Sequence, residues 1–443
     1  MLDNTLQSWL DHIEQLHSKP IDMGLERMHE MLKRMGISFD QKTVITVGGT
    51  NGKGSTCAML ERIYRAAGYT TGMHTSPHLM RINERCVING REVTDERLIA
   101  AFREVEAARG EMTLSYFEYT ALAFLKIFQE EALDVVILEI GLGGRLDAIN
   151  TVDNNAAIIA TVGIDHVAYL GNTREAIGYE KSFIFRPGCP AVVSDPDVPS
   201  TVRDRVTEIG AQKSFAGEDF TTQIHDDGSF DFALGTERLL NLPAPGLVGA
   251  NQYQNAAGVL ACVLRLAKRL PVTREAIEKG LLEARLPGRF ELVTTTPVPM
   301  VVDVGHNPQA AQALKRNIAV TKRPKERTLA VFGMLADKDM QQVSSILASS
   351  FDDWYVASLT GPRAATAEQL EAAMLAAGID KTHIRLWPDV RSALMAARED
   401  ALRLVNTATE SNPVPEPVRI IIFGSFVTVT AAAEVFAEEG ITL

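Results

Sequence analysis

Apolar residues along the chain follow two spacings, and their alternation predicts a layered α/β fold. An apolar, β-branched run of Val44, Ile45 and Val47 predicts a buried strand that breaks at Gly48. Further strands are predicted at 70–75, 134–145 and 155–166, and the strand at 134–145 runs into a glycine-rich loop. Apolar residues at helical spacing predict helices after the first strand and at 94–108 and 116–131. Strands that alternate with helices form a parallel sheet covered on both faces, with ligand sites at the carboxyl ends of its strands.

The flanking segments extend this pattern to both ends of the chain. Residues 1–42 have a helical pattern that Pro20 and Gly24 interrupt. Residues 190–245 show short alternating runs typical of strands and turns, and a helical block follows at 251–284. Alternation then resumes, and it predicts strands near 299–304, 327–333, 353–358 and 418–423.

Proline and glycine occur together in LPGRFE (286–291), which predicts a hinge between two domains. We expect the first domain at 1–287, where a helical segment precedes a mostly parallel sheet with a phosphate loop and helices on both faces. A smaller, Rossmann-like α/β domain is predicted at 288–443. Within it, the polar and proline-containing stretch 407–417 predicts a loop.

Composition narrows the class of protein. The 443 residues are 46% hydrophobic and 23% charged, and no apolar run reaches the roughly 20 residues that a membrane helix needs. A net charge of −12 disfavours nucleic-acid partners, because basic surfaces hold phosphate backbones. The N-terminus lacks the pattern of a signal peptide, and the four cysteines show no metal or redox spacing. We therefore expect a cytoplasmic protein, and a monomer because no oligomerisation signal is present.

The stretch TVITVGGTNGKGSTCAML (43–60) carries the strongest candidate chemistry. Glycines let backbone N–H groups close around phosphate oxygens, and the N-terminus of the following helix adds partial positive charge. Lys53 is placed to reach terminal phosphates, and a nearby hydroxyl to help hold Mg²⁺. Val47 replaces the first glycine of the general motif, and Gly54 separates Lys53 from Ser55. The pattern predicts a nucleotide site; the alternative, a tight turn that binds nothing, requires neither the lysine nor the hydroxyls.

Polar side chains follow three of the predicted strands. Ser76 follows the second strand, Glu139 closes the third, and His166 follows the fourth. Hydroxyl, carboxylate and imidazole groups all bind divalent cations, although Mg²⁺ prefers oxygen. Each residue alone is ambiguous, but together beside a phosphate loop they predict a metal site.

Four further residues are ambiguous by themselves. Lys181 follows Glu180, and such neighbours are by default a solvated surface pair. Arg289 lies in the predicted hinge. Asp303 ends an apolar run and precedes a turn that carries His306 and opens a helix, as expected of a ligand-facing turn.

Eight motifs occur in order along the chain: GTNGKGS (49–55), TSPHL (75–79), EIGLGGRLDAIN (139–150), GIDH (163–166), EK (180–181), LPGRF (286–290), DVGHNP (303–308) and FGMLADKD (332–339). Over nearly the whole chain they resemble the folylpolyglutamate synthase and dihydrofolate synthase family of the Mur ligase superfamily. The segment HSKPIDMGLERM (17–28) resembles the bacterial bifunctional branch of that family.

The resemblance implies an ATP-dependent ligase with two Mg²⁺ ions. It implies ATP contacts for Thr50, Asn51, Gly52, Lys53, Gly54, Ser55, Asn255, Arg289 and Asp303, with His306 in the same motif. Ser76 and Glu139 would bind one Mg²⁺ and His166 the second, while Lys181 resembles a family lysine that is carbamylated. The catalytic group would comprise Lys53, Lys181 and His166. The pterin would be lined by Asp22, Tyr116, Phe117, Glu118, Leu146, Asp147 and Ala148.

Three departures from the family pattern occur, one of which covers two residues. Ile149 stands where threonine is usual, so a hydroxyl is absent there. Ser182 and Phe183 replace a small Ala-Gly pair after the modified lysine, which adds bulk beside Lys181. Gly305 stands where alanine is usual, a minor change.

The implied reaction joins L-glutamate to a carboxylate. ATP phosphorylates dihydropteroate, or the γ-carboxylate of a reduced folate, and the amine of glutamate then displaces phosphate from the acyl phosphate. Three alternatives stay open: a monofunctional folylpolyglutamate synthase, a Mur-type cell-wall ligase, which Gly54 disfavours, and a non-catalytic, nucleotide-regulated folate-binding protein.

Overall fold

The computed structural model describes residues 5–19, 22–406, 417–441 and 443, which form two compact units. The first unit extends to Gly246 and again from Gln252 to Arg285. The second comprises Leu247–Asn251 and the chain from Leu286 onward. The second boundary falls at the start of LPGRFE, and the exact domain limits at 287 and 288 stay a prediction.

An eight-stranded sheet forms the centre of the first unit. Its strands are β1 (Thr43–Gly48), β2 (Thr71–His74), β3 (Cys86–Ile88), β4 (Arg91–Glu92), β5 (Val135–Glu139), β6 (Ala156–Ile159), β7 (Pro190–Val193) and β8 (Gln212–Phe215). Their spatial order is β4-β3-β2-β5-β1-β6-β7-β8. The neighbours from β2 to β8 are parallel, whereas β3 and β4 are antiparallel additions at one edge.

A three-stranded antiparallel sheet follows in the same unit, made of β9 (Phe220–Ile224), β10 (Phe230–Leu234) and β11 (Glu237–Leu242). The helices before the second unit are α1 (Leu6–Gln15), α2 (Glu26–Arg34), α3 (Lys53–Ala66), α4 (Asp95–Arg109), α5 (Tyr116–Glu130), α6 (Val167–Leu170), α7 (Arg174–Ser182), α8 (Ser200–Glu208), α9 (Ala250–Arg265) and α10 (Arg274–Glu283). Short 3₁₀ turns lie at Ile82–Arg85 and Ala148–Thr151.

The parallel strands of the first unit end at one level. Val47 of β1 pairs with Glu139 of β5, and Gly48 pairs with Ile159 of β6. On the far side of β5, His74 of β2 pairs with Leu138. Every residue of β1, β5 and β6 is buried, which explains their continuous apolar runs. The loops after these strands therefore meet at one edge of the sheet.

The second unit contains a six-stranded sheet of order β12-β13-β17-β14-β15-β16. Its strands are β12 (Glu291–Thr294), β13 (Met300–Asp303), β14 (Arg327–Phe332), β15 (Asp353–Ala357), β16 (Ile384–Trp387) and β17 (Val418–Phe423). Only the pairing of β12 with β13 is antiparallel among these described strands. The helices are α11 (Pro308–Thr321), α12 (Met340–Leu347), α13 (Ala367–Ala376), α14 (Val390–Asn406) and α15 (Phe426–Glu438), and 3₁₀ turns lie at Ala348–Ser350 and Lys381–His383.

These two α/β units confirm the predicted fold class, while several predicted details are wrong. Residues 190–245 contain helix α8 as well as strands, because Val202 and Val206 bury one face of an otherwise charged segment. The strands β3, β4, β12 and β16, which lie at or next to a sheet edge, were not predicted, since each is short and contains no long apolar run. Except for Pro417, the predicted loop at 407–417 lies outside the described residues. No helix within the described ranges is long and apolar enough to span a membrane.

Candidate active site

The phosphate loop connects β1 to α3 and is fastened to the chain that follows β6. The Thr50 N–H donates to the Thr161 carbonyl at 2.7 Å, and the Asn51 N–H donates to the Thr161 hydroxyl at 3.0 Å. The Thr50 hydroxyl donates to the Gly163 carbonyl at 3.0 Å and accepts from the Gly163 N–H at 2.9 Å. Thr50 and Asn51 therefore shape the loop. The N–H groups in the first turn of α3 are of the kind that have no partner within a helix.

Gly52 and Asn255 meet at the start of α3, although 203 positions separate them in the sequence. Gly52 caps the helix in the left-handed conformation, with φ of 87°. A Cβ atom at Gly52 would lie 2.4 Å from the Asn255 Oδ1. Asn255 is buried in α9, and its Nδ2 donates to the Gln252 Oε1 at 2.9 Å. The structure thus brings the predicted nucleotide residue of α9 onto the phosphate loop.

Lys53 begins α3, and its Nζ donates to the Thr50 carbonyl at 3.2 Å. Gly54, Ser55 and Thr56 follow in the first turn and are all buried. Within the described part of the chain, the Thr56 hydroxyl is a buried oxygen without a hydrogen-bond partner. Ammonium, hydroxyl and helix N-terminus converge here, which is the arrangement that binds phosphate and an accompanying divalent cation.

Ser76 and Glu139 are brought together at the edge of the sheet. Glu139 ends β5 with 4% of its surface exposed, and it accepts a hydrogen bond from the Ser76 N–H at 3.1 Å. Ser76 belongs to the loop after β2, the strand beside β5. A buried carboxylate next to a hydroxyl-bearing residue is a donor set that suits Mg²⁺.

His166 lies on the loop after β6, on the other side of β1. It adopts a left-handed conformation with φ of 50°, and its N–H donates to the Asp165 carboxylate at 2.8 Å. The described residues contain no cluster of three or more His, Cys, Asp or Glu side chains close enough to hold a metal ion. A metal site here would therefore need oxygens from serine, water or phosphate in addition to Glu139 and His166.

Lys181 lies in α7 and points into the phosphate loop. Only 4% of the residue is exposed, and its Nζ donates to the Gly49 carbonyl at 3.0 Å. The solvated surface pair with Glu180 is therefore wrong: Glu180 pairs with Arg145 instead, at 2.9 Å. Burial, with the charge of nearby Lys53, lowers the pKa of Lys181 to about 7.

Asp147 shapes the glycine-rich loop after β5. Its Oδ2 accepts from the Leu142 N–H at 2.7 Å, and its Oδ1 accepts from the Ile149 N–H at 3.0 Å. Burial raises the pKa of Asp147 to about 6, although these N–H groups and Lys53 oppose the rise. Both carboxylate oxygens therefore hold the loop that carries Leu146 and Ala148.

The other residues predicted to line a pterin lie at the start of α5 and in the segment before α2, and Phe117 packs on this loop. A Cβ atom at Gly141 would lie 2.7 Å from the Phe117 ring, so this glycine allows the ring to pack against the backbone. The Arg85 guanidinium lies over the Tyr116 ring, with its carbon 5.9 Å from the centroid of the ring. Asp22 and Glu118 are joined through one guanidinium, that of Arg27, which contacts the two carboxylates at 2.8 Å and 3.0 Å.

Arg289, Asp303 and His306 lie together in the second unit. The Asp303 carboxylate accepts from the Phe290 N–H at 3.0 Å and from the Gly305 N–H at 2.7 Å, and burial raises its pKa. The Phe426 ring lies 5.2 Å from the Arg289 guanidinium and 6.3 Å from the His306 ring. The segment LPGRFE is thereby hydrogen-bonded to the end of β13.

Comparisons with known proteins assign both halves of the chain. A Mur ligase middle domain matches residues 47–263, and a Mur ligase glutamate ligase domain matches residues 288–410. The dihydrofolate synthase/folylpolyglutamate synthase of Escherichia coli is 47% identical over 367 residues, which are 82% of this chain and 84% of that protein. The chain belongs to the dihydrofolate synthase/folylpolyglutamate synthase family.

Solved structures agree with this family over nearly the full length. Escherichia coli FolC in complex with DHPP and ADP is 41% identical, with a TM-score of 0.89 and 98% of each chain covered. A bifunctional folylpolyglutamate synthase/dihydrofolate synthase with Mn, AMPPNP and L-glutamate bound is 38% identical, with a TM-score of 0.86 and the same coverage. The expected membership of this family is confirmed.

The departures from the family pattern have simple structural outcomes. The Phe183 ring packs on Tyr179 with centroids 4.9 Å apart, and the guanidinium groups of Arg205 and Arg145 lie 4.4 and 5.8 Å from its centroid. The Ser182 hydroxyl donates to the Tyr179 carbonyl at 2.7 Å. These side chains thus contact Tyr179 and two arginines, whereas the Lys181 ammonium donates to the Gly49 carbonyl. Ile149 is fully buried beneath the loop.

Two arginines of this family member were missed as candidates. Arg27 lies within the quoted segment HSKPIDMGLERM, but its partner Glu118 is 91 positions away. Arg85 donates from Nε to the His78 Nδ1 at 2.8 Å, so it joins the loop after β2 to the start of α5. Neither contact leaves a local signal in the sequence.

Proposed function

We propose that this protein is an ATP-dependent ligase that adds L-glutamate to dihydropteroate and to the γ-carboxylate of reduced folates. The observation that carries the proposal is the buried phosphate loop of a Mur ligase family member, with Lys53, Glu139 and Lys181 around it. A carboxylate is a poor electrophile, because oxide is a poor leaving group. Phosphorylation by ATP gives an acyl phosphate, from which the glutamate amine displaces phosphate as the amide forms.

Lys53 and the start of α3 are proposed to hold the phosphates of ATP. The ammonium and the helix N-terminus both favour negative charge, and this charge is greatest as the γ-phosphoryl group transfers. Thr50, Asn51 and Gly52 shape the loop, Gly54 and Ser55 extend it into the helix, and Asn255 closes it from α9. Arg289, Asp303 and His306 of the second unit stay predicted ATP residues.

Ser76, Glu139 and His166 are the proposed Mg²⁺ ligands. The buried Glu139 carboxylate and the adjacent serine fit an oxygen-preferring ion. Two such ions, when bound, would neutralise charge on the transferring phosphoryl group. Carbamylation of Lys181 forms a bond from Nζ to the carbon of CO₂ with loss of a proton, and the lowered pKa of this amine supports it. The resulting anionic oxygens would orient a metal.

The pterin is proposed to lie against the loop after β5. Phe117 and Tyr116 offer aromatic faces, and Asp22 offers a partly exposed carboxylate. Leu146 and Ala148 would contact the ligand from the loop that Asp147 holds. The buried Glu118 would contribute to the same site from the first turn of α5. We further propose a cytoplasmic monomer, which the acidic composition and four unpaired cysteines support.

A ligation assay tests this function. The protein is incubated with ATP, Mg²⁺ and L-glutamate, together with dihydropteroate or a reduced folate, and products are identified by mass spectrometry. One added glutamate on each substrate is expected. Product from the folate alone would indicate a monofunctional folylpolyglutamate synthase, and ATP binding without product a non-catalytic protein. Product only with a UDP-muramyl peptide would indicate a cell-wall ligase.

The variant Lys53→Ala is expected to lose ATP-dependent ligation by at least a hundredfold while its unfolding curve stays close to wild type, because the Lys53 Nζ donates to a backbone carbonyl, that of Thr50. The matched control is Lys268→Ala, at an exposed lysine, which should retain full activity. Ligation by Lys53→Ala at the wild-type rate would contradict the assignment of the phosphate loop.

A further inference from the structure

Four ionisable residues, three of them near the N-terminus, form one connected group, here called the Arg27 cluster: His17, Asp22, Arg27 and Glu118. Arg27 Nη1 contacts the Asp22 Oδ2 at 2.8 Å, and Arg27 Nη2 donates to the Asp22 carbonyl at 3.3 Å. On its other side, Arg27 Nε donates to the Glu118 Oε1 at 3.0 Å and to the Oε2 at 3.3 Å. One guanidinium therefore joins the segment before α2 to the first turn of α5.

Glu118 needs this partner because it is buried. Only 2% of the residue is exposed, and its remaining hydrogen bond comes from the Ser115 N–H at 2.8 Å, which starts α5. An ionised carboxylate removed from water is stable only when it is paired and hydrogen-bonded. Arg27 thus compensates the Glu118 charge while it contacts the next carboxylate.

Asp22 is held in place by the same guanidinium but stays accessible. Its side chain is 21% exposed, and the His17 Nε2 lies 3.1 Å from its Oδ2. The other oxygen, Oδ1, has Lys19 Nζ at 3.5 Å, so it retains capacity for a further donor. Burial is the largest single influence and opposes ionisation, but Arg27, His17 and Lys19 together outweigh it and lower the pKa of Asp22. Asp22 is an oriented, ionised acceptor.

The two segments that Arg27 joins both reach the glycine-rich loop after β5. Met23, next to Asp22, has its Cε 3.9 Å from the position of a Cβ on Gly143. Phe117, next to Glu118, packs on Gly141. Arg27, which itself lies in α2, therefore joins two segments that both contact the glycine-rich loop.

We propose that Arg27 is a positioning residue that sets the Asp22–Met23 segment against the first turn of α5 and so determines affinity for the pteridine-bearing substrate. This inference rests on the proposed function for the identity of the substrate. A 2-amino-4-oxopteridine presents adjacent N–H donors, which an oriented carboxylate recognises. A lysine at position 27 would keep the charge but has one nitrogen, which cannot span both carboxylates as the planar guanidinium does.

The test compares Arg27→Lys with Arg34→Lys. Arg34 lies on the same helix, and its salt bridge is with the exposed Glu30 at 2.8 Å rather than with Asp22. Binding of dihydropteroate is measured by calorimetry in the presence of ADP, and steady-state KM values are measured for dihydropteroate, ATP and L-glutamate. Arg27→Lys should weaken dihydropteroate binding at least tenfold and change the KM values for ATP and glutamate less than twofold. Arg34→Lys should match wild type.

A second variant separates positioning from folding. Asp22→Asn leaves the Arg27–Glu118 pair intact and should weaken dihydropteroate binding by a similar factor, and the double variant should be no weaker than Arg27→Lys alone. Wild-type dihydropteroate affinity in Arg27→Lys, or equal losses for ATP, would overturn the inference. If Arg27→Lys does not unfold cooperatively, the Asp22→Asn variant becomes the test. Wild-type affinity of Asp22→Asn for dihydropteroate would then overturn the inference.

The calorimetric readout also separates this inference from the proposed function. A wild-type protein that binds dihydropteroate without forming product would refute the ligase activity, while a tenfold loss in Arg27→Lys would still support the role of Arg27. A wild-type protein that ligates, with an unaffected Arg27→Lys variant, would refute the inference alone.

Discussion

Replacement of Gly52 by alanine tests how tightly the phosphate loop is built. Gly52 has φ of 87°, and a left-handed conformation costs an alanine about 1–2 kcal/mol. The new Cβ would lie 2.4 Å from the Asn255 Oδ1, so Asn255 must move and give up its buried 2.9 Å hydrogen bond to Gln252. An unsatisfied buried group costs roughly 1–3 kcal/mol. We expect a total of about 2–5 kcal/mol.

This energy should appear as lost nucleotide affinity or lost stability, depending on whether the loop changes shape. Since each 1.4 kcal/mol is a tenfold change, the loss corresponds to roughly 30-fold to 4,000-fold in the Kd for ADP if the loop relaxes. The assay is calorimetric binding of ADP, paired with urea unfolding of the same samples. The sum of the two free-energy changes is the quantity to compare with the estimate.

Gly68→Ala is the matched control, because Gly68 follows the same helix with φ of 91° and has no atom within 4 Å of its Cβ position. It should lose about 1–2 kcal/mol of stability and keep its ADP affinity. In a Gly52→Ala/Asn255→Ala double variant, the clash is absent, so the combined loss should be smaller than the sum of the single losses. Equal behaviour of Gly52→Ala and Gly68→Ala in both assays would refute the reasoning.

Two further predictions concern Asp147 and Phe183. The folded-state pKa of Asp147, about 6, lies above the unfolded value near 3.8, so the native protein binds more protons between these pH values. The free energy of unfolding should therefore fall by roughly 3 kcal/mol as the pH rises through this range. In urea titrations across pH 4–6, Asp147→Asn should flatten this pH dependence, and an unchanged slope would contradict the assignment. Phe183→Ala should lower the unfolding free energy by about 1–2 kcal/mol through the lost contacts with Arg145 and Arg205. It should leave kcat unchanged, because the Lys181 ammonium is held by the Gly49 carbonyl rather than by the ring. A tenfold lower kcat would show that the ring acts on the reaction.

Local patterns explain which parts of the fold were predictable. The strand, glycine-rich loop and helix at 43–60 are encoded within 18 neighbouring positions, so their prediction needed no distant partner. Helix α8 was missed because only Val202 and Val206 mark its buried face. Short edge strands such as β4, with two exposed residues, carry too few apolar positions to be recognised.

The candidate site depends on contacts that no window of sequence contains. Lys181 and Glu180 are adjacent in the chain, yet one reaches Gly49 and the other Arg145, since successive residues of a helix point in different directions. Asn255 was identified only through the family resemblance. The ligand contact of Asp147 stays a prediction, while the hold of its oxygens on the backbone of the loop leaves no signal in the sequence.

The two outer strands of the eight-stranded sheet have a consequence for self-association. A sheet edge presents unpaired backbone groups, which invite a strand from another molecule to add and seed aggregation. Here β4 has only Arg91 and Glu92, both exposed, and β8 begins with the exposed pair Gln212 and Lys213. An approaching strand would have to desolvate charges at either edge. The sheet thus resists templated growth, and a β-branched apolar pair in place of Arg91 and Glu92 would remove that protection.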